Sequence, residues 1–120
     1  MNMNIACDLS VFGSKENAMQ HEKNSASVLK NNEGVEALSE GYAFRYTYSP
    51  EMFTTLSRWI TMENKCCPFF TFGLRLVPDG ARRGIWLEIG GSKEIKEFMA
   101  VNFRSSFGVD LNQVKGSNFL

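Results

Sequence analysis

The sequence has little of several residues on which common functional sites are built. Its single histidine excludes sites that need two, such as HExxH zinc centres and two-histidine iron sites. Its three cysteines are too few, and odd in number, for the disulfide framework of a small secreted domain. Its 13 basic and 13 acidic residues cancel, which argues against a nucleic-acid binder held by phosphate charge.

Two further absences concern location. No run of about 18 apolar residues is present, so the sequence predicts no membrane span. Residues 1–10 have neither the basic stretch nor the apolar stretch of a signal peptide. We therefore expect a cytoplasmic protein, whose cysteines are thiols or metal ligands, with disulfide bonding the less favoured state.

The length of 120 residues suits one domain over 1–120, and the 43% of apolar residues suffices for a core. We expect residues 1–14 and the tail at 105–120 to be more loosely ordered than the rest. Three apolar residues favour partial docking of that tail: Phe107, Val109 and Leu111.

Periodicity and capping signals divide the chain into a helix and two strand–strand–helix units. Ser14, Ser49 and Ser92 are placed as N-caps, and Gly41 is expected to supply the conformational freedom of a tight hairpin turn. The predicted elements are a helix at 15–31, strands at 35–39 and 42–48, a helix from 50 to 65 or 66, strands at 69–77 and 84–90, and a helix at 93–103.

This order predicts an α+β fold, in which an N-terminal helix precedes two ββα units. The four strands form a mainly antiparallel sheet, and the helices pack on one of its faces. Trp86 and Glu88 project to the opposite face, which would need cover from the first helix, the tail or a partner subunit. A homodimer is therefore a candidate.

The distinctive segment is the run from Glu63 to Pro68, with two adjacent cysteines where a helix is expected to end. Adjacent residues of a regular strand point to opposite faces, but an irregular junction stiffened by Pro68 would let the sulfur atoms of Cys66 and Cys67 converge. Thiolates select soft ions such as zinc, copper, mercury or arsenic in its arsenite form. If the helix persists that far, Glu63 projects from the same face and could accept a thiol proton or act as an oxygen ligand.

The third cysteine, Cys7, would complete a three-thiolate site or three quarters of a tetrahedral zinc site. Glu63, His21 or water could be the fourth ligand, although the spacing alone does not bring Cys7 to the pair. Arg58 and Lys65 could offset the charge of a thiolate, whereas the carboxyl-terminal helix dipole acts the other way. His21, on a polar helix, is predicted to lie on the surface.

Three functions remain open. The first is soft metal or metalloid binding for resistance, sensing or delivery. The second is an interaction or dimerisation module whose cysteines are buried as small apolar groups, which is their usual state. The third is a thiol-dependent redox or transfer enzyme, with Cys66 or Cys67 as nucleophile and Glu63 as base. A vicinal Cys66–Cys67 disulfide is possible but strained.

Four segments resemble a group of small bacterial proteins of no established activity: IACDLS at 5–10, GYAFRY at 41–46, ENKCCPFFTFGLRL at 63–76 and WLEIGGSKEIKEF at 86–98. In that group an N-terminal IAC and an E-x-x-CCPF-x-x-F segment occur together, and the resemblance spans about Ile5 to Phe103. It implies no reaction. It implies that the following residues belong to one motif: Cys7, Glu63, Cys66, Cys67, Pro68, Phe69 and Phe72.

Overall fold

The computed structural model describes residues 7–113 and confirms the predicted α+β architecture. A helix precedes two strand–strand–helix units, as the caps and apolar spacing predict. The elements are α1 (Lys15–Lys30), β1 (Gly34–Leu38), β2 (Gly41–Thr47), α2 (Pro50–Cys66), β3 (Thr71–Asp79), β4 (Arg82–Gly90) and α3 (Lys93–Phe107), with short 3-10 helices at Leu9–Phe12 and Leu111–Gln113.

The sheet has the strand order β1-β2-β4-β3, and every neighbouring pair is antiparallel. The two hairpins therefore join through β2 and β4 at the centre, while β1 and β3 form the edges. Phe44 and Leu87 are partners in the central register, and both are fully buried. Pro78 lies near the end of β3, where an edge strand tolerates a residue without an N–H group.

Each long helix begins at the serine predicted to cap it. The side chains of Ser14, Ser49 and Ser92 each accept a hydrogen bond from the backbone N–H three residues further on. The third helix runs to Phe107, four residues beyond its predicted end. It ends there because Gly108, with φ of 71°, adopts the left-handed conformation that closes many helices.

All three helices pack on one face of the sheet. The Tyr46 hydroxyl donates to the Val28 carbonyl of α1 at 2.8 Å. The Trp59 ring of α2 meets Phe72 edge-on, with the ring centroids 6.0 Å apart. Lys96 of α3 lies 5.5 Å from the centre of the Tyr42 ring. Tyr42 and Tyr46 alternate on one face of β2, so this face is the core side.

The opposite face does not require a partner subunit to bury its large aromatic residue. Trp86 is 7% exposed within the single chain, and Arg45 and Arg75 are its neighbours in register on the two flanking strands. Glu88, two residues further along, accepts a hydrogen bond from Arg75 at 3.2 Å. Homodimerisation stays a prediction that the fold itself does not call for.

Both ends of the described chain are attached to the core. Residues 9–12 form a 3-10 helix, and Leu111 near the other end is 2% exposed. The remaining parts of the predicted loose segments, 1–6 and 114–120, lie outside the described residues. Within the described part of the chain, no helix combines the length and the apolar character needed to cross a bilayer.

The predicted role of Gly41 in the turn is wrong. The described glycines with positive φ are Gly13, Gly80 and Gly108, so Gly41 has a conformation open to any residue. Glycine is needed there because a Cβ would collide with the Ile89 carbonyl oxygen and the Gly90 Cα on β4. Gly41 therefore permits the close approach of the two central strands.

A Gly41→Ala substitution should lower the free energy of unfolding by about 1–3 kcal/mol, since backbone atoms must move to admit the methyl group. Gly73→Ala is the matched control, because the nearest atom to its added Cβ would be Glu88 Cβ at 3.8 Å, an ordinary contact. Urea unfolding of both variants tests this, and equal stabilities would contradict the assigned role of Gly41.

Candidate functional site

The sulfur atoms of Cys66 and Cys67 converge where α2 ends. Cys66 is the last helical residue, and Cys67 leaves the helix with φ of −127° and ψ of 65°. Pro68 disfavours helical geometry at the residue before it, so the helix ends at this point. The two Sγ atoms lie 3.3 Å apart, and each residue is 1% exposed. The irregular junction thus brings together two side chains that a strand would separate.

The N-terminal segment brings Cys7 to the same place. The Asp8 backbone N–H donates to the Cys66 carbonyl at 2.7 Å, which satisfies one of the acceptors left open at the helix end. Cys7, which is exposed, forms a disulfide with Cys67, and the two Cα atoms are 4.6 Å apart. The structure therefore contains the disulfide state that the sequence made the less favoured one, because a contact between distant segments sets the pairing.

Cys66 is the one free cysteine among the described residues, and it contacts a carboxyl group. Its Sγ lies 3.5 Å from Glu63 Oε1, one helical turn earlier, as the predicted shared face requires. Glu63 is 4% exposed. Burial raises the pKa of the Cys66 thiol to about 12, and the nearby Glu63 and Asp8 carboxylates act in the same direction. The thiol is therefore protonated near neutral pH.

The predicted surface position of His21 is wrong. His21 is 5% exposed, and its Nε2 lies 2.7 Å from Glu63 Oε1, within hydrogen-bond distance. The Phe12 ring packs against the imidazole with the centroids 4.6 Å apart. The many polar residues of α1 indicated that His21 is solvated. The face of α1 that packs against α2 is itself partly polar, however, and includes His21 and Ser25.

Ser25 extends this polar contact further into the interface between α1 and α2. Its hydroxyl donates to the His21 carbonyl at 3.0 Å and lies 3.4 Å from His21 Nε2. The Trp59 indole donates to the Ser25 hydroxyl at 2.8 Å. Sequence reasoning missed Ser25 because only apolar positions were used to define the buried face. The helical spacing of the buried positions would have indicated it, since Ser25 lies on the same face as Ala18, His21, Val28 and Leu29.

The three residues predicted to support the cysteines lie outside this buried cluster. Arg58, Lys65 and Pro68 are all exposed. Arg58 lines a groove between α1 and α2, whose lining also includes His21 and Trp59. Lys65 lies in the last turn of α2, where a cation interacts favourably with the helix dipole. Pro68 acts through the backbone, by ending the helix.

Two overlapping groups of donor atoms share Cys66. One is formed by Cys7, Cys66 and Cys67, the other by His21, Glu63 and Cys66, and the donor atoms in each group lie within 4.8 Å of one another. A cavity of about 160 Å³ adjoins both groups. The cluster can therefore hold a soft ion once its sulfur atoms are reduced, because thiolates are the ligands such ions prefer.

Comparison with protein-family models, curated proteins and solved structures gives no match to this chain.

Replacing His21 by alanine should lower the free energy of unfolding by about 1–3 kcal/mol, because the buried Glu63 carboxyl group loses its partner. Lys23→Ala, at an exposed position of the same helix, should change stability by less than about 0.5 kcal/mol. Urea unfolding measures both. A His21→Ala protein as stable as the Lys23→Ala control would show that the pair contributes nothing.

Proposed function

We propose that the protein, with its cysteines reduced, binds a soft metal or metalloid ion through Cys7, Cys66 and Cys67, in resistance, sensing or delivery. The observation that carries the proposal is the meeting of three sulfur atoms within 4.8 Å from segments about 60 residues apart. Three thiolates form a trigonal site, or most of a tetrahedral one. Glu63 and His21 are the further donors beside it.

Binding in this form depends on opening the Cys7–Cys67 disulfide. Two equivalents of a thiol reduce the bond to two cysteine thiols and are themselves oxidised to a disulfide. Cys7 is the exposed member of the pair, so attack by the reducing thiol begins there. The proposal therefore places the protein where small thiols keep cysteines reduced, as in the cytoplasm.

The resemblance to small bacterial proteins with IAC and E-x-x-CCPF-x-x-F segments supports this proposal. It implies that Cys7, Glu63, Cys66 and Cys67 belong to one motif, and these four residues line one cavity.

Under anaerobic conditions the reduced protein should bind one equivalent of zinc, mercury(II) or arsenite, and the disulfide form should bind far more weakly because two of its three sulfur atoms are bonded together. Replacing Cys66 by serine should remove most of the affinity, since it removes a ligand that both donor groups share. Replacing Glu63 by glutamine should weaken binding by about 10–100-fold if the carboxyl orients the thiols.

The matched control is Asn64→Ala, an exposed position between Glu63 and the cysteines. Circular dichroism of each reduced variant establishes that it is folded before titration. Cysteine-to-serine variants that bind as tightly as the parent would refute the proposal. Variants that only lose stability, in a parent that binds nothing, would favour structural cysteines in an interaction module.

A second candidate, thiol–disulfide chemistry, has one observation in its favour. The Cys66 Sγ lies 3.3 Å from the disulfide-bonded Sγ of Cys67, so a thiol already contacts a disulfide. The reactive species in such exchange is the thiolate, however, and a pKa of about 12 leaves Cys66 almost entirely protonated. The electrostatics of the site therefore favour binding over redox catalysis.

Alkylation by iodoacetamide separates the two candidates. In the disulfide form at about pH 8, Cys66 should react at least about 100-fold more slowly than an ordinary exposed thiol, and its rate should rise about tenfold per pH unit as the thiolate forms. The same protein unfolded in urea is the control, because burial and the Glu63 contact are then lost. A native rate equal to the unfolded rate would support the redox enzyme.

A further inference from the structure

We infer that the ion matching this site is a trivalent metalloid, taken up as uncharged arsenous acid or its antimony counterpart and held by the sulfur atoms of Cys7, Cys66 and Cys67 in one neutral complex. This inference rests on the proposed function and names its ligand class. Three features carry it: the number of thiols, the charge around them, and the separation of two of them.

The binding step balances without any change of oxidation state. Three arsenic–oxygen bonds break and three arsenic–sulfur bonds form. Each thiol proton leaves on a hydroxide as water, so one arsenous acid and three thiols give one tris-thiolate complex and three waters. Arsenic stays trivalent, and the net charge of the site is unchanged. Three thiols are thus the number that a trivalent centre consumes.

Divalent ions match this site less well in charge. A divalent cation bound to three thiolates leaves one negative charge in the complex, and burying an uncompensated charge is unfavourable. Glu63 and His21 share a hydrogen bond, so any positive charge on the imidazole is already offset by the carboxylate beside it. Mercury(II) can form a neutral complex with two thiolates, but then the third cysteine has no role.

The surroundings of Cys66 add to this penalty. The Glu63 Oε1 atom lies 3.5 Å from the Cys66 Sγ, and a carboxylate that close disfavours a further negative charge at the sulfur. Cys66 and Cys67 also lie at the carboxyl end of α2, which carries the negative end of the helix dipole. Arg58 and Lys65, the cations predicted to offset a thiolate charge, are exposed to solvent, which screens them. A neutral complex avoids repulsion from the Glu63 carboxylate and from the negative end of the helix dipole.

The separation of two sulfur atoms points the same way. With metal–sulfur bonds of about 2.3 Å, a tetrahedral centre places its sulfur atoms about 3.8 Å apart. In the disulfide form the Sγ atoms of Cys66 and Cys67 lie 3.3 Å apart, and a reduced site that kept this separation would hold an ion, for such bonds, at an S–ion–S angle of about 90°. An angle near 90° is typical of a pyramidal trivalent metalloid, whose lone pair compresses the bonds, and is narrower than tetrahedral zinc prefers.

The cavity beside the sulfur atoms suits a small neutral reactant. Its volume is about 160 Å³, several times the roughly 30 Å³ of a water molecule. Cys7 is exposed at its edge, whereas Cys66 and Cys67 are buried. Arsenous acid carries no charge, so its entry requires less desolvation than the entry of a hydrated divalent ion.

The test is anaerobic titration of the reduced full-length protein with sodium arsenite and with zinc, in direct competition and in two buffers of different ionisation enthalpy. Arsenite should bind at least about tenfold more tightly than zinc and release about zero protons, whereas zinc should release two to three.

Replacing Cys7, the exposed ligand, by serine should weaken arsenite binding about 100-fold or more, since one chelating bond is lost. Mercury(II) should lose less than about tenfold, because two thiolates satisfy it.

Val11→Ser, at an exposed position of the same segment, is the matched control and should bind arsenite like the parent. Tighter binding of zinc than arsenite, or arsenite binding that survives Cys7→Ser, would overturn the metalloid inference and leave soft-ion binding intact. Failure of all three ions to bind in a cysteine-dependent way would instead remove the proposed function itself. Circular dichroism of the reduced Cys7→Ser protein distinguishes loss of a ligand from loss of the fold.

Discussion

The cysteine cluster depends on the way α2 ends. A helix leaves its last carbonyl groups without partners inside the helix, and Pro68 prevents the chain from continuing to supply them. The Cys67 N–H still bonds back to the Glu63 carbonyl at 2.8 Å, whereas the Cys66 carbonyl takes its partner from the N-terminal segment, the Asp8 N–H. This one hydrogen bond sets Cys7 beside Cys67. The proline that ends the helix and the carbonyl it leaves open therefore place all three sulfur atoms.

A second constraint is the polar contact between α1 and α2. Apolar surface is limited on α1, and the two helices meet through Trp59, Ser25, His21 and Glu63, each hydrogen-bonded to the next. No buried side-chain nitrogen or oxygen in the described chain lacks a partner. Because every buried polar atom of this network has a hydrogen-bond partner, the network can lie in a low-dielectric interface without a large penalty. It also fixes the Glu63 carboxyl against Cys66, so the contact that joins the helices orients the site.

Burial has opposite consequences for the two kinds of chemistry that cysteines support. A catalytic thiol needs a stabilised thiolate, yet burial and the carboxylates beside Cys66 hold its pKa near 12. A binding site needs only that the ion replace the proton, and the attraction of a bound ion for sulfur far exceeds that of the surroundings. The same buried environment, with the Glu63 carboxyl group beside Cys66, then discriminates among ions by the charge of the complex they form. The fold is thus better suited to selecting an ion than to activating a nucleophile.

The sequence by itself determined the secondary structure and the convergence of the adjacent cysteines. Serine caps, alternating apolar residues and Pro68 are local signals, and each acts within a few residues of the element it defines. Tertiary structure alone decided the disulfide partner of Cys7, the burial of His21 and the need for glycine at position 41. Each depends on a segment distant in sequence, namely the end of α2, the face of α2 and strand β4. Local sequence patterns carry no information about contacts between distant segments, so the complete site could not be predicted from the sequence alone.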